Sequence, residues 1–190
     1  MRFWQFSLLL FSVLTFSQPK AEKLDSVGSY LQMAAFDTRI NNYIAALDHT
    51  QKAINYAEAN GEVENQAKSY TLLGDVYFQI ERYEDAFDGY SHASKLYSTL
   101  PPSSSQALVY YKKGLCYMQK KQYPQAEASF NTAKEIHNSI SYHDAIELLE
   151  LQKGILYKTN GKVEQAALIF TSILAKTEKE DVYNIRAEAL

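Results

Sequence analysis

A single cysteine, Cys116, stands in a chain of 190 residues, so an intramolecular disulfide framework and a zinc site built on several thiolates are both excluded. Prolines number four and glycines seven, too few for a turn-rich β fold. Neither sign of charge is in excess. A formal net charge of -3 gives no electrostatic footprint for a polyanion, and nucleic acid is not expected as a direct partner. Long apolar runs are missing as well: the stretch from Phe6 to Phe16 is 11 residues, against the ~20 of a spanning helix. No glycine-rich phosphate loop occurs.

What is present is an ordinary globular balance, 46% hydrophobic and 22% charged, enough apolar surface to offset the entropy of ordering one domain. Fifteen tyrosines and nine phenylalanines point to helices packed through aromatic side chains. At the N-terminus, Met1 and Arg2 precede the short apolar run, and Thr15 and Ser17 are small residues where a signal peptidase reads. Residues 1–17 are therefore expected to be a signal peptide cut between Ser17 and Gln18, with a linker at 18–26 and a periplasmic or secreted mature chain. The residue directly after the cut is Gln18 and not cysteine, which argues against a lipoprotein.

The dominant signal is self-similarity at a period of 40 residues. Ala46, Ala86, Ala126 and Ala166 form one column, Gly74, Gly114 and Gly154 a second, and Tyr77, Tyr117 and Tyr157 a third. Thr50, Tyr90, Phe130 and Phe170 make another, and Ala53, Ala93, Ala133 and Ile173 another. Tyr70, Gly74 and Tyr77 lie at i, i+4 and i+7, as do Ala86, Tyr90 and Ala93, so each unit predicts two helices. A glycine inside a helix costs about 1 kcal/mol relative to alanine, so a glycine column implies a close approach. The large residues of the Tyr90 column are expected to be the knobs that fill it. Pro124 suits a helix first turn, Leu100 to Ser105 reads as a break, and Asn60-Gly61 and Asn160-Gly161 read as joints. The units fall at about 27–60, 67–100, 107–140 and 147–180, with the start of a fifth at Ala187. The expected fold is all-α, a solenoid of helix-turn-helix repeats.

Tyr70, Leu73, Gly74, Tyr77, Ala86, Tyr90 and Ala93 resemble the tetratricopeptide repeat (TPR), as do Tyr110, Gly114, Tyr117, Ala126, Phe130 and Ala133 in the next unit. The resemblance covers roughly 27–190. The fourth unit keeps Gly154, Tyr157, Ala166 and Phe170 but has Glu150 for the leading aromatic, and the first has Ala34 for glycine and Asp37 for tyrosine. A 40-residue unit, longer than the usual ~34, is similar to the arrays of bacterial regulators and sensors. The family implies a scaffold that binds a protein or peptide in a concave groove, without cofactor, metal or catalysis. An alternative role is the N-terminal sensory part of a longer signalling protein such as a sensor kinase or regulator; the membrane enters only if a span lies downstream. Family members that grip a peptide carboxylate use recurring Lys and Asn, whereas the corresponding face here carries Lys68, Thr71 and Asp75, then Leu108, Tyr111 and Leu115, then Leu148, Leu151 and Ile155. A carboxylate clamp is not expected.

Leu108, Tyr111, Leu115 and Met118 recur on a different side of their helix from Tyr110, Gly114 and Tyr117. That second apolar face either packs on adjacent first helices or opens as a binding groove, together with Thr71, Asp75, Phe78, Leu148, Leu151 and Ile155. Lys112, Lys113, Lys120 and Lys121 read as a solvated face. His49, His92, His137 and His143 lack metal-ligand spacing, and His137 and His143 are expected at the surface. Glu62, Glu64, Glu81, Glu84, Asp85, Glu178, Glu180 and Asp181 form no shielded acid–base pair. Only Val182 to Leu190 remain to cover Phe170, Ile173 and Leu174, from which self-association through an uncapped last repeat is expected.

Overall fold

The computed structural model describes residues 26–142 and 144–180, the side chains of 144 and 177–180 excepted. The expected signal peptide at 1–17, the expected linker up to residue 25, His143, Asp181 and the expected start of a fifth repeat at 187 lie outside the described residues, with the side chains of Glu178 and Glu180. Among the described residues eight helices follow in order: α1 (Val27–Arg39), α2 (Tyr43–Ala59), α3 (Val63–Gln79), α4 (Tyr83–Tyr97), α5 (Ser104–Gln119), α6 (Tyr123–Ser139), α7 (Asp144–Thr159) and α8 (Val163–Glu180). The fold is an all-α solenoid of four helical hairpins.

The chain reverses by one device, repeated. A residue in the left-handed region closes α1 at Asn41 (φ 59), α2 at Gly61 (φ 67), α3 at Glu81 (φ 60), α5 at Lys121 (φ 57), α6 at Ser141 (φ 55) and α7 at Gly161 (φ 76). The next amide then donates to the carbonyl five residues back, as in Asn42 to Asp37 at 2.8 Å and Gln122 to Tyr117 at 2.8 Å. These are Schellman closures, and they satisfy carbonyls that the helix end would orphan. They recur every 20 residues except at Pro101, where Ser103 takes over by accepting the Gln106 amide at 3.2 Å as the α5 cap. The 40-residue period is thus two helix-plus-turn steps. Ser104 and Ser105 belong to α5 and not to the break, and α3, α5 and α7 begin three or four residues before the sequence periodicity placed them. Cap and turn geometry fixes those ends, and it leaves no mark in the apolar spacing.

Each hairpin closes on a matched pair. A Cβ added at Gly74 would lie 2.5 Å from Cε1 of Tyr90, and one at Gly114 would lie 2.7 Å from Cδ1 of Phe130. Gly154 meets the Phe170 ring in the same way. A second glycine, Gly89, brings the α4 backbone against α3, where a Cβ would sit 2.9 Å from the Gly74 nitrogen. In the first hairpin the corresponding residues are Ala34 and Thr50, both fully buried, a larger residue facing a smaller one. The core runs along the array in segments. Ala67, Ala86, Tyr90, Ala93 and Tyr97 join Val109 and Cys116 of the next hairpin, and Ala126, Phe130 and Ala133 join Leu149 and Leu156 of the one after. Each segment touches only its neighbours, as expected of a quasi-one-dimensional array. At the first hairpin, Phe36 is 54% exposed where Val76 and Cys116 of the same column are 0%, because no described helix lies against that face of α1.

Candidate functional site: the groove across the first helices

Helices α1 and α3 touch, and so do α3 and α5, which makes the first helices of successive hairpins the inner row of the curve. Between them lies an open cavity of about 700 Å³, walled by Thr38 and Arg39 of α1, Asp75 and Phe78 of α3, and Leu108, Tyr111, Lys112 and Leu115 of α5. Its floor carries one polar cluster. The Tyr90 hydroxyl donates to Asp75 Oδ1 at 2.7 Å, and Lys112 Nζ donates to the same oxygen at 2.6 Å. Burial, then the Asp75 charge, pushes the Tyr90 phenol far above its ordinary value, so it stays a donor. The cluster ties the knob of the second hairpin to the first helix of the third, across a groove whose α5 wall is otherwise Leu108, Tyr111 and Leu115 and whose α1 end carries Thr38 and Arg39.

Five residues read from sequence as the groove line this cavity: Asp75, Phe78, Leu108, Tyr111 and Leu115. Leu115 does so while also packing on the core of the third hairpin, so this face is partly taken up by packing between repeats. Leu148 lines a smaller adjoining cavity with Leu108 and Tyr111. Thr71, Met118 and Ile155 are half-buried and line neither; the Thr71 hydroxyl donates to the Ala67 carbonyl at 2.8 Å. Leu151 is a correction. At 1% exposure it is closed into the interior, because α7 is packed by α6 on one side and α8 on the other.

A family model described as SNAP, soluble NSF attachment protein, matches residues 9–142. The chain belongs to this SNAP family. Among solved structures, the SNAP-family chain is similar to aspartyl phosphate phosphatase F from Bacillus subtilis, with a TM-score of 0.77 at 15% identity over 86% of this chain and 43% of that one. It is similar to a Rap protein complexed with competence and sporulation factor, with a TM-score of 0.74 at 14% identity over 86% and 45% of the two chains. A putative kinesin light chain from Podosopora anserina with nearly identical TPR-like repeats gives 0.69 at 16% identity over 80% and 75%. At these identities the likeness shows the fold, a TPR-like helical repeat, and the chain spans under half of the length of the first two. Among curated proteins no sequence matches.

The four lysines of the SNAP-family chain are the second correction, since only Lys121 is a solvated residue. Lys112 is in the groove cluster. Lys113 lies over the rings of Phe87 at 5.2 Å and Tyr110 at 5.5 Å, and burial, then the charge of Lys95, lowers its ammonium below the usual value. Lys120 sits 5.7 Å from the Phe87 centroid and 3.5 Å from Glu84. All three serve the seam between the second and third hairpins, where aromatic faces and aliphatic stems can share one contact. The next seam is stitched by Lys134 to Glu150 at 2.6 Å and by the Tyr157 hydroxyl donating to Glu127. That last bond, with burial, pushes Tyr157 up to about 12. Glu150, a departure from the repeat pattern, is thus half of an ion pair.

His137 is a third correction, buried at 6% exposure rather than at the surface. His49 is bonded to Asp37 at 2.7 Å inside the first hairpin, which explains the aspartate in the tyrosine column. Burial raises the Cys116 thiol to about 12, so it is protonated at neutral pH and inert as a nucleophile. Among the described residues no three His, Cys, Asp or Glu side chains are grouped to hold a metal ion, and no helix is long and apolar enough to cross a membrane. What the arrangement offers is surface: a curved trough with apolar walls, a polar floor and Arg39 at its edge.

Proposed function

We propose that the chain is an exported, non-catalytic interaction scaffold of the long-repeat kind, and that the groove across α1, α3 and α5 holds a segment of a protein or peptide. The observation that carries this reading is the 700 Å³ trough built by three successive hairpins, whose apolar walls converge on the Asp75–Tyr90–Lys112 cluster. One structural neighbour is a Rap protein complexed with competence and sporulation factor, which supports a macromolecular or peptide ligand for this class of scaffold. The neighbour named a phosphatase does not extend that activity to this chain.

Leu108 is 45% exposed at the edge of the trough, so a charge there meets ligand rather than core. For peptides selected from a random library on the native protein, Leu108→Glu is expected to weaken binding by about ten-fold while the melting temperature holds. Unchanged affinity, or binding and fold lost together, would count against the groove.

Export rests on the charged start, the apolar run Phe6 to Phe16 and the small residues Thr15 and Ser17. The family match starts at residue 9, inside the segment that export would remove, so the mature end is worth measuring directly. The intact mass of the protein from its native cells is expected to correspond to a chain beginning at Gln18. A mass that retains Met1 would sink this assignment.

A further inference from the structure

One stripe of the first helix faces outward where its counterparts in the later hairpins are covered. In α3 and its C-cap the stripe is Ser69, Leu73, Val76 and Ile80, at i, i+4, i+7 and i+11, with Ser69 and Val76 fully buried. In α5 it is Val109, Lys113, Cys116 and Lys120. Val109 and Cys116 join the core of the second hairpin, and Lys113 and Lys120 lie over the Phe87 ring of that hairpin. In α7, Leu149 and Leu156 join the core of the third hairpin in the same way. The stripe is therefore the surface by which each first helix stacks on the hairpin before it. In α1 it reads Ser29, Met33, Phe36 and Ile40, with Met33 40% exposed and Phe36 and Ile40 54% each. Adjoining apolar side chains left open on a stacking surface, where the end of a solenoid calls for polar ones, mark an interface.

The chain itself narrows what covers it. When the chain begins at Gln18, only residues 18–25 stand ahead of Ser26, and Lys20, Glu22, Lys23 and Asp25 are charged while Pro19, Ala21 and Leu24 are the apolar ones. That stretch is too short and too polar to replace a hairpin. The far end of the array is a poor mate as well. On α4, Glu84 meets Lys120, and Phe87 lies under Lys113 and Lys120. The corresponding residues of α8 are Glu164 and Ala167, whereas α1 has Met33 and Ile40 in place of the two lysines. A head-to-tail stack would thus set a carboxylate on an apolar stripe without its cation and leave the stripe no ring to pack on. The stripe holds no charge of its own, so pairing it with a second copy of itself brings no like charges together.

We propose that the outward stripe of α1 is a two-fold interface that takes a second copy of this chain, the two α1 helices crossing with Phe36 nearest the axis and Met33 of each copy against Ile40 of the other. The inference rests on the export reading, which removes the apolar run Phe6 to Phe16 from in front of α1. It is independent of the groove, because Thr38 and Arg39, the α1 residues that wall the trough, lie outside the stripe. It also uses the opposite end of the array from the last repeat. A two-fold contact closes on itself, so association stops at two copies.

The test is sedimentation equilibrium of the protein purified from its native cells, over a series of concentrations, with the intact mass measured on the same sample. The molar mass is expected to level off at two copies. Phe36→Glu should weaken the pair by at least about a hundred-fold, since the symmetry places the new charge at the centre of the contact twice. Its helical circular dichroism should persist, because Phe36 is more than half exposed within one chain. Ile40→Glu, at the helix end, should weaken the pair by about ten-fold or more and serves where Phe36→Glu loses its helical signal. Ala167→Glu on α8 should leave the pair intact. A monomer at every concentration, a pair untouched by both stripe variants, a mass that keeps growing, or association lost with Ala167→Glu alone would each overturn the proposal. A monomer that begins at Gln18 would refute the interface and leave export standing. A pair that retains Met1 and is dissolved by Phe36→Glu would do the reverse.

Discussion

Gly114→Leu is expected to destabilise the protein by more than about 3 kcal/mol, whereas Lys121→Leu should leave the melting curve where it is. The difference follows from what each position faces. At Gly114 even a Cβ would sit 2.7 Å from Cδ1 of Phe130 and closer still to Cε1, and Phe130 is fully buried between α5 and α7, so the ring has no room to yield. Forcing a branched side chain into that gap must part α5 from α6 or drive Phe130 off its rotamer, and interiors at crystal-like packing density transmit such strain. Lys121 is exposed at the turn, in a left-handed conformation that lysine and leucine tolerate equally. Thermal and urea unfolding of the two variants side by side reads the contrast. Equal stability would mean that the glycine column does not mark the hairpin closure.

The second large effect concerns the first hairpin, where Ala34 and Thr50 stand in place of glycine and an aromatic ring. Thr50→Phe alone is expected to cost about 2–3 kcal/mol, because the new ring meets the Ala34 methyl in a closure with no spare volume. Ala34→Gly alone should cost about 1 kcal/mol in helix propensity and lost packing. Combined, they recreate the glycine–ring pair of the other hairpins, and the double variant should be more stable than the sum of the two changes by at least about 1 kcal/mol. Unfolding free energies for the four proteins of the cycle decide it. Strict additivity would show that the two columns do not form one lock.

The columns were legible because a contact that recurs every 40 residues writes the same residue types at the same interval. Gly74, Gly114 and Gly154 against Tyr90, Phe130 and Phe170 could be matched from spacing alone, and the closure they predict is the one the structure has. The turns were harder. Two of their six left-handed residues are glycines, but Asn41, Glu81, Lys121 and Ser141 fill the others, and glutamate and lysine carry no turn signature. The lysines were misread for a different reason. Lys112 meets Asp75 across 37 residues of chain, and Lys113 meets Phe87 across a seam, so no local periodicity distinguishes them from solvated neighbours. His137 shows the limit from the other side: its burial follows from the column of Ala57 and Tyr97, both fully or nearly fully buried, a column that residue identity does not reveal because no two members are alike. The groove was half legible. Helical spacing separates the face carrying Leu108, Tyr111 and Leu115 from the packing face, but it cannot tell that the α7 residue Leu151 on the matching face is covered.

Whether the inner row of helices is the binding surface is tested most directly by a hydrogen-exchange footprint. With a library-selected peptide bound at saturation, amide protection is expected to rise in α1, α3 and α5, strongest around Thr38 to Arg39, Asp75 to Phe78 and Leu108 to Leu115, the segments that wall the 700 Å³ trough. The outer helices α2, α4 and α6 should exchange as in the free protein. Protection confined to those outer helices, with the inner row unchanged, would contradict the groove and assign recognition to the convex face.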